Sequence, residues 1–273
     1  MYGLHSHTES RLRAMSVPGF QIRHFEEIDS TNTYLMNEAR HGAADGLVAV
    51  ADHQSAGRGR LDRTWEAPPG ASLLASILFR VTLPPERLYL ATAAVAVAAH
   101  AACWDVAKVD VELKWPNDLL VGNAKLAGIL AEVVPDASGE SFAVVVGIGL
   151  NLTWPGPPGV NGTSILEVSG THVGRDEFLE AFLTQLGERK AQLHDDAGHL
   201  EIQREFLERL STIGQEVSVE LATETIVGTA VGLTDHGFLI IESDTGVREL
   251  SAGDVIHLRR GPLGEESPSR LNL

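Results

Sequence analysis

The sequence predicts an α+β protein in two parts, a large domain of strands and helices followed by a small C-terminal β-barrel. Three observations carry this. Runs such as "LVAVAD" (47–52), "SLLASILF" (72–79) and "FAVVVGIGLNL" (142–152) are continuous apolar segments of strand length, the pattern of strands buried on both faces. Segments of helix length separate or follow them at 29–42, 84–104 and 175–194. From Gln215 onward the texture changes to short alternating runs with turn signals between them, which suits a barrel of five strands.

In chain order, residues 1–19 read as a loose tail that ends at Val17-Pro18-Gly19, and 20–27 ("FQIRHFEE") as a strand. A helix follows over 29–42, with Asp29, Ser30 and Thr31 as cap candidates and Gly42 beyond its end. The two apolar strands 47–52 and 72–79 are joined by an arginine-rich segment. Pro84 and Pro85 open a long helix reaching Trp104. Residues 111–134 read as a hairpin turning at Gly122-Asn123, and 142–152 as a buried strand ending in glycines. "TWPGPPGVNGTS" (153–164) holds too much Pro and Gly for regular structure and reads as a loop or lid. Helices are expected over 175–194 and 199–210, with Phe178/Phe182 and Leu179/Leu183 at core-facing spacing. In "QEVSVEL" Val217, Val219 and Leu221 alternate with polar residues, and turns fall at Asp235-His236-Gly237 and Asp244-Thr245-Gly246. Domains are therefore placed at 20–212 and 213–260, with a disordered tail over 261–273 and no internal repeat.

The chain has 273 residues and a formal net charge of −16, from 37 acidic and 21 basic side chains. That balance disfavours non-specific attraction to nucleic acid or anionic lipid. One cysteine, Cys103, excludes an internal disulfide framework, suits a reducing cytoplasm, and reads as a small apolar filler in an alanine-rich helix. The first twenty residues contain no apolar core of signal-peptide length. The longest apolar stretch, 88–104, is interrupted by His100 and suits a buried helix better than a membrane span. A cytoplasmic protein is expected.

Against that acidic background, "HQSAGRGRLDRTW" (53–65) gathers Arg58, Arg60 and Arg63 beside Gly57 and Gly59. It is not a dinucleotide fingerprint, because the sixth position from Gly57 is Asp62, and no G-x-x-x-x-G-K-[ST] occurs anywhere. What remains is a glycine-containing loop with three guanidinium forks, suited to phosphate or carboxylate or else simply solvated at the surface. A second cluster lies in "KWPNDLLVGNAKLAGILAE" (114–132), with Lys114, Asn117, Asp118 and Lys125 on or beside the hairpin. Singly, Lys114 can snorkel, Asp118 can cap a turn and Lys125 can face water. Together, beside the apolar "LAGIL", they are costly to desolvate without partners. The glycines of "VGIGLN" either form a tight turn or let something approach the backbone.

"STN" (30–32), "HQSAGRGR" (53–60), "KWPND" (114–118), "KLAGILAE" (125–132) and "GIGLN" (147–151) occur in that order. Together, over roughly residues 20–260, they resemble the biotin–protein ligases. The resemblance implies a catalytic domain like that of class II aminoacyl-tRNA synthetases, with a mixed sheet and flanking helices, followed by an SH3-like barrel. It implies biotin and ATP as substrates, with Mg2+ accompanying the ATP, and biotinyl-5′-AMP as the intermediate. The final acceptor would be a lysine of a biotin carboxyl carrier domain.

By the same resemblance, Lys125 bridges biotin carboxylate and phosphate, and Arg58 and Arg60 lie over the carboxylate and the α-phosphate. Arg63 and Trp65 reach the pyrophosphate and adenine side, and Asn117 and Asn151 contact nucleotide or metal-bound phosphate. Ser30, Thr31, Asn32 and Gln54 line the biotin pocket. Gly128, Ile129, Gly147 and Gly149 supply close backbone and an apolar wall. Gly57 and Gly59 let the loop open and close, and the repulsion among its arginines is relieved only when the anions arrive. Asp118 is the candidate to orient or deprotonate the acceptor lysine. Trp154 is a stacking or packing residue in the nucleotide-side loop. No metal ligand is identifiable.

Some members of that family carry an N-terminal winged helix-turn-helix, and about 20 residues here are too few for one, so a dedicated ligase is expected. Monomers and homodimers both occur in the family, and no feature of this sequence chooses between them. Two alternatives stay open: a lipoate or octanoate enzyme of the same fold, and a non-catalytic biotin-binding module.

Overall fold

A computed structural model of the protein describes residues 16–135, 142–221, 223–251 and 253–257. The expected tails over 1–15 and 261–273 lie outside the described residues. Residues 16–19, expected to belong to the first tail, are part of the folded body: Val17 is buried and its carbonyl accepts from the Phe20 amide at 3.1 Å.

Seven strands form the main sheet: β1 (Gln21–Ile28), β2 (Leu47–Gln54), β3 (Ser72–Val81), β4 (Glu112–Lys114), β5 (Asp118–Val121), β6 (Ala124–Pro135) and β7 (Phe142–Asn151). Their order is β1-β2-β3-β7-β6-β5-β4. Only β1 and β2 run parallel; the remaining pairs are antiparallel, so the sheet is mixed. The parallel pair needs a crossover, and α1 (Thr31–Arg40) supplies it.

Both faces of this sheet are covered, which explains the unbroken apolar runs. On one face Val48, Val50, Leu73, Ile77 and Phe79 pack with α2 (Tyr89–Ala107), backed by α4 (Arg175–Gln192) and α5 (Asp196–Glu208). On the other, Leu35 and Ala39 of α1 meet Ala49, Ala51, Leu78 and Val145. Alternation then decides the rest. In β7, Val144, Val146, Ile148 and Leu150 belong to the α2 side, which turns Gly147 and Gly149 to the α1 side. Pairing with β7 brings Gly128, Leu130 and Glu132 of β6 opposite Gly149, Gly147 and Val145. The α1 side of the sheet therefore has a floor of glycines beside the start of α1, whose Asn32 reaches over Gly147.

With the turn before it, α2 is apolar and long enough to cross a membrane, yet Leu90, Val95, Val97 and the alanines around them are buried inside the protein. Its alanines let α4 and α5 approach closely. Cys103 is fully buried there, and burial pushes its thiol well above the ordinary range, as an inert filler requires.

Two helix starts differ from expectation. α5 begins three residues before the expected position because the Asp195 carboxylate caps it, accepting from the Gly198 amide at 2.7 Å. A short helix unforeseen in the sequence, α3 (Ile165–Ser169), begins where Ser164 Oγ accepts from the Glu167 amide at 3.2 Å. The S-x-x-E spacing of "SILE" is the signal that could have located it.

The second sheet comprises β8 (Glu216–Glu220), β9 (Thr225–Leu233), β10 (Leu239–Ser243), β11 (Gly246–Leu250) and β12 (Asp254–His257), in the order β11-β10-β9-β8-β12. The last strand returns beside the first, as in SH3-like folds. It packs on the main body through Trp115, whose indole donates to Gly237 O at 3.0 Å, and through Tyr89 against Gly237.

His100 of α2 gives the fold a pH dependence. Its Nδ1 lies 2.7 Å from Val111 O, and burial lowers its pKa from the ordinary 6.5, with Arg209 acting the same way and the Val111 bond opposing. The folded state thus favours neutral imidazole, and the unfolded chain binds the proton more readily. This contribution to stability is present above about pH 6.5 and is lost as pH falls below it. The urea midpoint is expected to fall between about pH 7.5 and 5.5, and less steeply in His100→Gln. An identical slope in the variant would remove His100 as the cause.

Candidate functional site

A cavity of about 820 Å³ lies over the glycine floor. The N-terminus of α1, the loop after β2, the β5–β6 hairpin and the segment after β7 surround it. Of the residues singled out in the sequence for the site, all line it except Gly57, Lys114 and Trp154.

The polar end is built where α1 begins. Ser30, the N-cap, accepts from the Thr33 amide, which fixes the next two side chains over the sheet. Gln54 Oε1 accepts from Thr31 N at 2.8 Å and from Thr31 Oγ1 at 3.0 Å. Thr31 Oγ1 also lies 2.7 Å from Ser76 Oγ, which donates to Asn32 Oδ1 at 2.6 Å. Asn32 Nδ2 donates to Leu130 O at 3.1 Å and to Glu132 Oε2 at 3.0 Å.

Asn32 crosses β7 so closely that a Cβ on Gly147 would stand 2.2 Å from its Oδ1. Gly147→Ala is therefore expected to break this buried amide's bonds and to cost about 1–3 kcal/mol, read by denaturant unfolding. Wild-type stability would show that Asn32 can move freely.

The arginine loop is more ordered than expected. Arg58 pairs with Thr64, the Gly59 amide donates to Arg63 O at 2.7 Å, and the Trp65 amide donates to Gly57 O at 3.0 Å. The reversal uses Leu61 (φ 53°) and Asp62 (φ 57°) in the left-handed region. A Cβ on Gly57 would lie 2.2 Å from Trp65 O, so this glycine permits a close crossing of the chain. Gly57 thus has a structural role besides the opening and closing of the loop expected of Gly57 and Gly59.

Each loop arginine also has a partner within the protein, a correction to the idea that only incoming anions relieve their repulsion. Arg58 Nη1 sits 2.8 Å from Glu132 Oε1. Arg60 Nη1 donates to Asn117 Oδ1 at 3.2 Å and to Gly253 O at 3.5 Å. Arg63 pairs with Asp254 at the start of β12, so the small sheet contributes to the cavity. Burial lowers the Arg60 pKa despite the nearby Asp254 and Asp118 carboxylates, marking a poorly solvated cation.

Lys125 Nζ lies 2.6 Å from Asp118 Oδ1 and 5.8 Å from the Trp65 ring centre. Its backbone is pinned by the segment after β7: Lys125 N donates to Asn161 O at 2.8 Å and Thr163 N to Lys125 O at 2.9 Å. Burial lowers the pKa of Lys114, with Asp118 opposing and Lys125 adding to the shift.

Three side chains make contacts within the protein that the sequence did not foretell. The Asn117 amide links Arg60 to Ile129 O (2.8 Å). Asn151 Nδ2 holds Pro155 O and Thr163 O at 3.2 and 3.0 Å. Both amides shape walls of the cavity that they line. Trp65, expected on the nucleotide side, lies against Gly149, where a Cβ would be 2.4 Å from its ring, so it shares the floor expected to wall biotin. Trp154 is not among the lining residues, whereas Pro155, Gly156, Pro157 and Val160 are.

Glu132 and Asp254 were missed in the sequence. Glu132 could have been found by extending the two-residue period from Gly128; Asp254 carries no local signal.

The family described as "Biotin/lipoate A/B protein ligase family" matches residues 24–151, and "Biotin protein ligase C terminal domain" matches residues 212–258. A biotin–[acetyl-CoA-carboxylase] ligase of Mycobacterium tuberculosis is 36% identical over 84% of this chain and 86% of its own length. The chain belongs to the biotin–protein ligase family. A second biotin–[acetyl-CoA-carboxylase] ligase, from Paracoccus denitrificans, is 31% identical over 83% of this chain and 96% of its own. The solved biotin protein ligase from Aquifex aeolicus in complex with biotin and ATP is 27% identical, with a TM-score of 0.72, covering 88% of this chain and 99% of that one. The glycine floor and the ring of cations thus belong to a biotin–protein ligase fold.

Proposed function

We propose that the protein attaches biotin to a lysine of a biotin carboxyl carrier domain in two steps. Biotin and ATP form biotinyl-5′-AMP and release pyrophosphate; the lysine amine then attacks the acyl carbon and displaces AMP, leaving an amide. The observation that carries this is the convergence of Arg58, Arg60, Arg63 and Lys125, from distant stretches of chain, on one cavity with a glycine floor. The likeness to a ligase solved with biotin and ATP supports it.

In the first step a carboxylate attacks the α-phosphorus of a polyanion, so the two substrates repel. Cations held in place by the fold offset that repulsion without reorganising during the reaction. Lys125 is assigned to the junction of carboxylate and phosphate, Arg58 and Arg60 to the groups on either side, and Arg63 to the pyrophosphate. The ureido ring is assigned to the polar end at Ser30, Thr31, Asn32 and Gln54, and the ring and chain of biotin to Gly128, Ile129 and the β7 glycines. Asp118 holds Lys125 and is assigned to orient the acceptor amine.

Among the described residues no group of three or more His, Cys, Asp or Glu could hold a metal ion. Magnesium is assigned to the ATP phosphates, which it would help to neutralise. An acidic chain with a single buried cysteine suits the cytoplasm, with the carrier domain as its protein partner.

Intact mass spectrometry of a carrier domain after incubation with protein, biotin, ATP and magnesium is expected to show one biotinyl addition on one lysine. ATP–pyrophosphate exchange supported by lipoate and indifferent to biotin would overturn the assignment.

A further inference from the structure

Ser76 of β3 takes no part in the machinery just assigned. It does not line the cavity, yet it lies fully buried behind the polar end of the pocket, paired across β3 and β7 with Gly147. Its hydroxyl is the middle link of a chain of hydrogen bonds whose two ends are main-chain groups of fixed sense. At one end the Thr31 amide can only donate, so Gln54 turns its side-chain oxygen there, at 2.8 Å. At the other the Leu130 carbonyl can only accept, so Asn32 turns its side-chain nitrogen there at 3.1 Å, and to Glu132 at 3.0 Å. Asn32 Oδ1 has no proton to give, so Ser76 is the donor of their 2.6 Å bond. The single Ser76 proton is then spent, and in the 2.7 Å contact with Thr31 Oγ1 Ser76 accepts. The Thr31 proton is held between Ser76 Oγ and Gln54 Oε1, the latter at 3.0 Å. Every side-chain proton of Thr31 and Asn32 that can donate is thus engaged. What these two cavity-lining residues retain is oxygen lone pairs.

We propose that Ser76 is a positioning residue for the head of the substrate: by fixing the sense of this chain it makes Thr31 and Asn32 acceptors towards the cavity. This rests on the reading that the ureido ring of biotin occupies the polar end, and deepens it. That ring brings two N–H donors, which would be left unpaired against a hydroxyl turned the other way. A hydroxyl rotates to suit its surroundings, and without Ser76 the Thr31 hydrogen is free to swing into the cavity; with Ser76 it has an acceptor inside the protein. A dithiolane ring carries no N–H and gains nothing from this arrangement. Ser76 therefore contributes to selection among acids with similar chains, although it touches none of them.

The test is Ser76→Ala in the full chain, assayed by ATP–pyrophosphate exchange with biotin and with desthiobiotin, which keeps the ureido group and lacks the sulfur. The KM for both compounds is expected to rise by about two- to tenfold, the range of one neutral hydrogen bond. The KM for ATP and kcat should stay unchanged, because the hydroxyl acts on the head of the substrate and not on the reacting carboxylate. If the Ala variant does not fold, Ser76→Cys, which offers only a weak donor, serves for the same comparison. An unchanged KM for biotin would overturn the proposal. So would a rise that desthiobiotin does not share, or a loss of kcat and ATP affinity of the same size, since a general support of the sheet would act on all of them. Wild-type exchange with lipoate and with neither ureido compound would show that the functional reading itself fails, and the proposal would fall with it.

Discussion

Lys125→Ala is expected to abolish adenylate formation while weakening biotin binding far less. The ammonium stands at 2.6 Å from Asp118 on a strand whose backbone is held by Asn161 and Thr163, so its position is set before substrates arrive. Charge that develops on phosphate oxygens during attack is met there by a cation that needs no reorganisation. Removing one such preorganised group costs on the order of 10²–10³ in rate. Here the loss should be larger, because the variant also takes from Asp118 its ion-pair partner beside two incoming anions. Biotin retains the glycine floor and the polar end of the pocket, so its affinity should fall by no more than about tenfold, roughly 1.4 kcal/mol. Single-turnover pyrophosphate release and a biotin titration measure the two quantities separately. Equal losses in both would contradict the role.

Arg60→Gly is expected to release biotinyl-AMP much faster than wild type. Arg60 is the least solvated of the three loop cations, and burial lowers its pKa although Asp254 and Asp118 lie near. A guanidinium in that position gains more from an anionic partner than one in water, and a charge-assisted contact contributes about 1.5–3 kcal/mol. Loss of one such contact corresponds to roughly 10- to 150-fold in dissociation rate. The variant also loses the links from the loop to Asn117 and to Gly253, so two walls of the cavity part from it together. Chasing labelled adenylate from the enzyme gives the rate directly. Release as slow as in wild type would show that Arg60 does not retain the intermediate.

Much of the architecture was legible because local rules and global packing agree. The unbroken apolar run of β7 predicts a strand, and once Val144 and Val146 are buried against α2 the pleat dictates which face its glycines occupy. Phe178, Leu179, Phe182 and Leu183 declare the inner face of α4, and all four are fully buried. The misses are equally local in origin. "SILE" was overlooked because five residues are too few for a periodic signal, and the start of α5 was displaced because Asp195 caps it. The crossing that Gly57 permits was not legible, since a glycine reports permission for a backbone path and not the reason for it.

Spacing and composition along the chain pointed to most of the elements and to the five strands of the small sheet, but not to α3 or to the separation of β4 from β5, and the cations expected at the site came from the resemblance of motifs. The partners that the loop arginines meet follow from the three-dimensional arrangement alone. Arg58 finds Glu132 across 74 positions and Arg63 finds Asp254 across 191. Such pairings depend on how β6 and β12 are brought to the loop, and charge acts through space at distances that no local pattern encodes.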